Sequence, residues 1–129
     1  MSQHERFHAL GPTAYAEAIA CGRSFRLRLV NERNRHCTLK PTQLESLSNA
    51  MQTGLAIFAD VAPRGQWPWS KFFDVGHRAM IRFFAYGRED LRFSIHESTE
   101  TREWTLPLKG FDKVKAFSDW LKNFAPPMT

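Results

Sequence analysis

The chain has 129 residues, a formal net charge of +5 and a pI near 9.6, and 43% of its residues are apolar. This length and apolar share predict a single folded domain, residues 1–129, and argue against a disordered chain. Arginine supplies 12 of the 18 cations. Because the guanidinium is planar and weakly hydrated, it suits phosphate binding and stacking, which favours a polyanionic partner.

Cys21 and Cys37 are the only cysteines of the sequence, too few for a disulfide framework. We therefore expect a reducing environment, cytoplasmic or nuclear, or an organelle interior if a transit peptide has been removed. The first residues carry charges and lack the apolar segment of a signal peptide. No apolar run approaches the length of a membrane span, so no contact with a membrane is expected.

The first half, residues 6–62, is predicted to form strands followed by one helix. Leu27 and Leu29 alternate with Arg26 and Arg28, which indicates a strand with one buried and one solvent-facing side. The predicted strands are residues 6–10, Tyr15–Cys21, Ser24–Val30 and residues 36–40. A helix with an apolar stripe then begins near Pro41, where Thr42 and Glu45 form a capping-box pattern, and ends before Pro63.

Residues 63–70 form a linker rich in proline and glycine that contains Trp67 and Trp69. Two interpretations of these tryptophans stay open. They pack over the open end of a sheet, as large aromatic side chains usually do, or one of them provides a stacking surface for a partner.

The second half, residues 71–125, repeats the order of the first. The predicted strands are residues 71–78, 79–90, 91–98 and 101–108, and a helix of similar length to the first follows at residues 110–124. Ile81 and Phe83 point to one side of the second strand, whereas Arg82, Phe84 and Tyr86 point to the other. The sequence therefore predicts an α+β fold with two ββββα-like repeats, in which each antiparallel sheet packs against one amphipathic helix.

Several residues of the second half resemble the DNA-binding core of transcriptional positive cofactor four. They are Phe73, Val75, Gly76, Arg78, Ile81, Leu91, Ser94, Ile95, Glu97, Leu106 and Leu108. The doubled arrangement is also similar to Pur-type (purine-rich-element-binding) and Whirly-type proteins. The resemblance implies binding of single-stranded DNA, a role in transcription regulation and pairing of two copies as a homodimer.

The candidate binding surface is a sheet face that combines cations with aromatic rings. Its residues are Arg26, Arg28, Arg82, Phe84, Tyr86, Arg92 and His96. Rings that stack on bases, beside guanidinium groups that bind phosphates, favour single-stranded DNA or RNA as the partner. Two alternatives remain open: a small regulatory or inhibitor protein whose basic face docks on an acidic protein, or a second layer of structure that covers both rings.

No pattern in the chain favours catalysis. It contains no C-x-x-C, H-E-x-x-H, G-x-S-x-G or phosphate-binding glycine loop. Four carboxylates could be assembled into a metal-dependent nuclease site, namely Asp74, Glu89, Asp90 and Glu97, but Glu89 and Asp90 fall in a predicted turn, where solvation is the simpler interpretation. We therefore expect a non-enzymatic binding protein with no metal, no cofactor and no small-molecule substrate.

Overall fold

The computed structural model describes residues 5–125, so both ends of the predicted domain, residues 1–4 and 126–129, lie outside it. The elements in chain order are β1 (Phe7–Ala9), β2 (Tyr15–Cys21), β3 (Ser24–Val30), β4 (His36–Leu39), α1 (Pro41–Val61), a 3-10 helix (Ala62–Arg64), β5 (Trp69–Gly76), β6 (Ala79–Ala85), β7 (Leu91–Ser98), β8 (Glu103–Lys109) and α2 (Phe111–Leu121).

The eight strands form two antiparallel sheets. The first sheet has the strand order β1-β2-β3-β4, and the second sheet has the order β5-β6-β7-β8. Because every strand pairs with its neighbour in sequence, each sheet is a simple meander. Each sheet packs against a helix, which confirms the predicted α+β arrangement of strands followed by a helix in each half. Among the described residues, neither helix has the length and apolar character that crossing a bilayer requires.

Alternation along the strands separates a buried face from an outer face in both sheets. In β3, Leu27 and Leu29 are fully buried, whereas Arg26 is exposed and Arg28 half-buried. In β6, Ile81 and Phe83 are fully buried, whereas Arg82 and Phe84 on the other side of the strand are half-buried. The predicted assignment of side chains to the two faces is therefore confirmed for both strands.

The start of α1 differs from the predicted capping box. Lys40 is the N-cap residue, and its backbone N–H donates to Oε1 of Gln43 at 3.0 Å. Thr42 and Glu45 therefore do not form the cap, and the prediction is wrong. The Gln43 side chain also donates from Nε2 to the Gly76 carbonyl at 2.8 Å, so the same residue ties the helix start to the second sheet.

The two helices differ in length, contrary to the prediction. α1 has 21 residues and α2 has 11. The chain leaves α2 after Leu121, although Phe124 is still buried beyond the helix end. Because α2 packs against β7 and β8 and also stacks Trp120 on His8 of β1, with ring centroids 5.4 Å apart, a short helix contacts both halves.

The tryptophans of the linker pack onto the core. Trp67 and Trp69 lie with their ring centroids 6.1 and 5.6 Å from that of Phe58 in α1. Trp69 begins β5, two residues before the predicted strand start, and its ring also lies 6.4 Å from that of Phe83. Both side chains are half-buried and pack against the core, and the interpretation that one of them contacts a partner stays a prediction.

Candidate functional site

The pairing register of the second sheet brings its cations and rings together. Phe72 of β5 pairs with Arg82 of β6, and Phe84 pairs with Arg92 of β7. Because paired residues of antiparallel strands point to the same side, these four side chains share the outer face. The inner side is filled by buried residues such as Phe83 and Phe93, so the outer face is left as the side that a partner can reach.

The Arg82 guanidinium lies between two aromatic rings. Its central carbon is 5.4 Å from the ring centroid of Phe72 and 4.7 Å from that of Phe84. Contacts of this kind attract a cation to the negative face of the ring. Nε of Arg82 is buried and has no hydrogen-bond partner among residues 5–125. Contacts with the rings thus hold the guanidinium in place, and no carboxylate within the described part of the chain forms an ion pair with it.

Tyr86 and Arg92 extend this row of rings and cations. The Tyr86 ring meets that of Phe84 edge-on, with centroids 4.7 Å apart. The Arg92 guanidinium lies 5.9 Å from the Tyr86 centroid, and it also forms an ion pair with Asp90 at 3.3 Å. Tyr86 is 61% exposed and Phe84 is half-buried, so neither ring is sealed beneath a helix.

A groove of about 660 Å³ opens over this face; we call it the cationic groove. Its floor is the outer face of the second sheet, and residues 10–12 of the first half form part of its wall. The charged residues that line it are Arg82, Arg92, Lys109, Lys113 and Glu32. Four cations against one carboxylate attract an anionic ligand.

Glu32 stabilises the loop that forms part of the wall of the cationic groove. Its carboxylate accepts hydrogen bonds from the backbone N–H of Thr13, at 3.1 Å, and from the Thr13 hydroxyl. The hydroxyl bond is the main reason that the pKa of Glu32 is lowered, and the charge of Lys113 lowers it further. Because Gly11 has no side chain, this carboxylate can lie directly against its backbone.

Hydrogen bonds to β8 hold the turn that carries Glu32. Nδ2 of Asn31 donates to the Thr105 carbonyl at 3.1 Å, and Nε1 of Trp104 donates to the Arg35 carbonyl at 3.0 Å. Asn31 is buried, and its Oδ1 accepts from two backbone N–H groups of the turn. The first half thus supplies a fixed wall to a groove whose floor belongs to the second half.

His96 lies beside the cationic groove and does not line it. Its Nε2 is 2.7 Å from Oγ of Ser94, which does line the groove, and its Nδ1 is 3.1 Å from Oγ1 of Thr105. Burial lowers the pKa of His96, and the nearby Arg82 charge lowers it further. The imidazole is therefore mainly neutral near pH 7 and orients the Ser94 hydroxyl through a hydrogen bond.

Arg26 and Arg28 lie apart from the other candidates. Both point to the outer face of the first sheet, and neither lines the cationic groove. Arg28 lies 3.8 Å from the Glu17 carboxylate, which partly offsets its charge. The Phe7 and Tyr15 rings share this face, with centroids 5.9 Å apart. The structure therefore brings Arg82, Phe84, Tyr86 and Arg92 together and leaves these two arginines on a separate surface.

Sequence reasoning missed Phe72 of the outer sheet face and two lysines that line the cationic groove. Phe72 was not selected because its position beside Arg82 depends on the register between β5 and β6. The position of Lys109 on the outer face could have been predicted, because it continues the outward alternation of Thr105 and Pro107. The predicted strand, however, ended one residue earlier. Lys113 gave no signal, because only the packing of α2 brings it to the groove.

The carboxylates considered for a nuclease site are dispersed. Asp74 accepts a hydrogen bond from the Gly76 N–H at 2.8 Å, and Asp90 pairs with Arg92. Glu97 is 3.2 Å from Arg102. Within residues 5–125, no three His, Cys, Asp or Glu side chains are grouped so that they could hold a metal ion.

Comparison of the chain with models of known protein families, with curated proteins and with solved structures found no match. We therefore infer the function from the geometry and charge of the groove.

Proposed function

We propose that the protein binds single-stranded DNA or RNA in the cationic groove without acting as an enzyme. The observation that carries this proposal is the Arg82 guanidinium held between Phe72 and Phe84 on an accessible sheet face. Tyr86 and Arg92 continue the same row. The groove thus offers flat rings for bases and an excess of cations for phosphates.

The combination of accessible rings and cations on one sheet face favours a single strand over a duplex as the ligand. A base can stack on Phe84 or Tyr86 only if its own face is free, and in a double helix both faces are already stacked. Each stacked base contributes about 1–3 kcal/mol as measured by alanine substitution. Phosphate contacts supply the remaining affinity and make it sensitive to salt.

The resemblance to the core of transcriptional positive cofactor four supports the proposal further. Residues 69–121 contain four antiparallel strands followed by one helix, in the order that the resemblance implies. On the same basis we propose a homodimer and a role in transcription regulation. Sedimentation velocity with and without an oligonucleotide tests the homodimer, and a monomeric mass under both conditions would reject it.

Fluorescence polarisation with a labelled oligonucleotide of about 12 nucleotides tests the function directly. Four lining cations predict that the logarithm of the binding constant falls with the logarithm of salt concentration at a slope near −3, because each single-strand phosphate contact contributes about −0.7. A duplex of the same sequence serves as the comparison and is expected to bind more weakly. Absence of binding at low salt rejects the proposal.

A pair of ring variants locates the binding surface. Replacing Phe84 and Tyr86 together by alanine is expected to weaken binding at least about tenfold, since removal of one stacked base costs about 1–3 kcal/mol. The matched control is the double variant Phe7→Ala, Tyr15→Ala, which removes the ring pair of the first sheet. Equal losses in both double variants would show that the cationic groove is not the site.

The alternative is that the basic face docks on an acidic protein. The positive charge of the face would attract an acidic protein or a nucleic acid equally, but the row of rings beside Arg82 favours a ligand with flat bases. Competition by polyglutamate against the labelled oligonucleotide separates the two. Two results together would favour an acidic protein as the partner. Polyglutamate would displace the oligonucleotide at an equal concentration of charges, and the Phe84→Ala, Tyr86→Ala variant would keep its affinity for the oligonucleotide.

A further inference from the structure

A second groove of about 700 Å³ lies between the end of α1 and the start of α2; we call it the Phe111 groove. Phe58, Phe111 and Arg88 contribute to its lining. The Phe111 ring stacks on the buried Phe58 ring, with centroids 6.1 Å apart and planes 29° apart. Phe111 is nevertheless 37% exposed, so a ring supported from the core remains accessible to a partner.

The Phe111 groove shares two lysines with the cationic groove. Lys109 ends β8, where its backbone pairs with Arg92, and Lys113 lies in the first turn of α2. Both side chains are exposed and line both grooves. The two grooves are therefore adjacent, and a polyanion that leaves the first passes two ammonium groups before it enters the second.

The charges of the Phe111 groove differ from those of the cationic groove. Glu89 and Asp112 line it together with Arg88 and the two shared lysines. This smaller excess of positive charge supports fewer phosphate contacts. The groove is accordingly suited to hold a base against an aromatic ring while the phosphates follow the lysines and Arg88.

We propose that the Phe111 groove binds the next nucleotides of the same single strand, with Phe111 as a further stacking surface and Arg88 as a further phosphate contact. This inference rests on the proposed function. It assigns a footprint that extends beyond the outer sheet face and around the start of α2.

A length series of oligothymidines tests the footprint, for example about 4, 8 and 12 nucleotides. The variants are Phe111→Leu, which keeps an apolar side chain on Phe58 and removes the ring, and Arg88→Ala at an exposed position. Each is expected to lower the affinity of the longest oligonucleotide about three- to tenfold and to leave the shortest unchanged, because only a long strand reaches the second groove. Lys122→Ala is the control, since this exposed cation lines neither groove.

The outcomes separate the inference from the proposed function. If affinity increases with oligonucleotide length to the same extent in the native chain and in both variants, the inference about the Phe111 groove is wrong. The proposed function is not affected by that result. Equal losses for short and long oligonucleotides also overturn the inference, because Phe111 and Arg88 would then act on the first groove. Absence of binding at every length rejects the proposed function and this inference together.

Discussion

The guanidinium of Arg82 lies 4.7 Å from the centre of the ring of Phe84, which is two residues further along β6. Both side chains stand on the outer face of the second sheet, and the Phe72 ring covers Arg82 from the adjacent strand. Contacts of this kind hold the guanidinium against the rings while its terminal nitrogens keep their capacity to donate to a phosphate. The pair therefore defines both the shape and the charge of the groove floor.

Replacing Arg82 by lysine tests whether this planar geometry matters. The change keeps the charge but removes the flat, stacked group, so we expect oligonucleotide affinity to fall about three- to tenfold with little change in the salt slope. Arg82→Ala is expected to weaken binding further and to make the slope about 0.7 units shallower. Fluorescence polarisation over a range of salt concentrations measures both quantities. Native affinity in the lysine variant would contradict the role given to stacking.

Gly54→Ala tests the contact between α1 and the second sheet. A methyl group at this position would clash with the fully buried Phe83 ring. Although alanine favours helix, overpacking of a filled core costs about 1–3 kcal/mol, so we expect the free energy of unfolding to decrease. Urea denaturation followed by tryptophan fluorescence measures the change. Thr53→Ala, at the exposed neighbouring position, is the control and should change stability by less than about 0.5 kcal/mol.

The two cysteines are expected to differ in reactivity. The Cys37 thiol is buried and donates to the Glu97 carboxylate at 3.1 Å. Burial first, and then this hydrogen bond, raise the pKa of Cys37 to about 12, so the reactive thiolate is scarce at pH 8. Cys21 is exposed. Iodoacetamide followed by peptide mass spectrometry should label Cys21 in the folded protein and Cys37 only after unfolding.

A Cys21→Ser variant provides the control for this experiment. It should take up no label while folded and one label in denaturant. Rapid labelling of Cys37 in the folded variant would show that the contact with Glu97 is not maintained in solution.

Acid is expected to loosen the wall of the cationic groove. Because the folded pKa of Glu32 lies below its ordinary value of 4.5, the ionised carboxylate stabilises the loop above that value, and the contribution is lost as the pH falls through the lowered pKa. The protection factor of the Thr13 amide in hydrogen exchange reports the contact directly. We expect protection at neutral pH and its loss in acid.

Glu32→Gln is the matched variant for the loop experiment. The amide is nearly the same size but is uncharged and accepts through one oxygen, so protection of Thr13 should already be reduced at neutral pH and should not change as the carboxylate range is crossed. A pH dependence as large as that of the native chain would assign the effect to another group.

The sequence by itself determined the order of the elements and, in strands with clear alternation such as β3 and β6, the side on which each residue lies. Alternation of apolar and polar residues is a local property with a period of two, so Ile81 and Phe83 could be separated from Arg82 and Phe84 without knowledge of the fold. It also predicted the bounds of Ser24–Val30 correctly, whereas at Tyr15–Cys21 the alanine-rich pattern favoured a strand without excluding a helix.

Only the tertiary structure decided which residues meet. The contact between Phe72 and Arg82 depends on strand register, and the groove joins a floor from β6 to β8 with a wall that includes Pro12 and Glu32, more than 40 residues away in the chain. Packing also decided that Gly54 faces Phe83 and that the Gln43 side chain donates to the Gly76 carbonyl. Such contacts arise from the mutual fit of distant surfaces, which local periodicity does not encode.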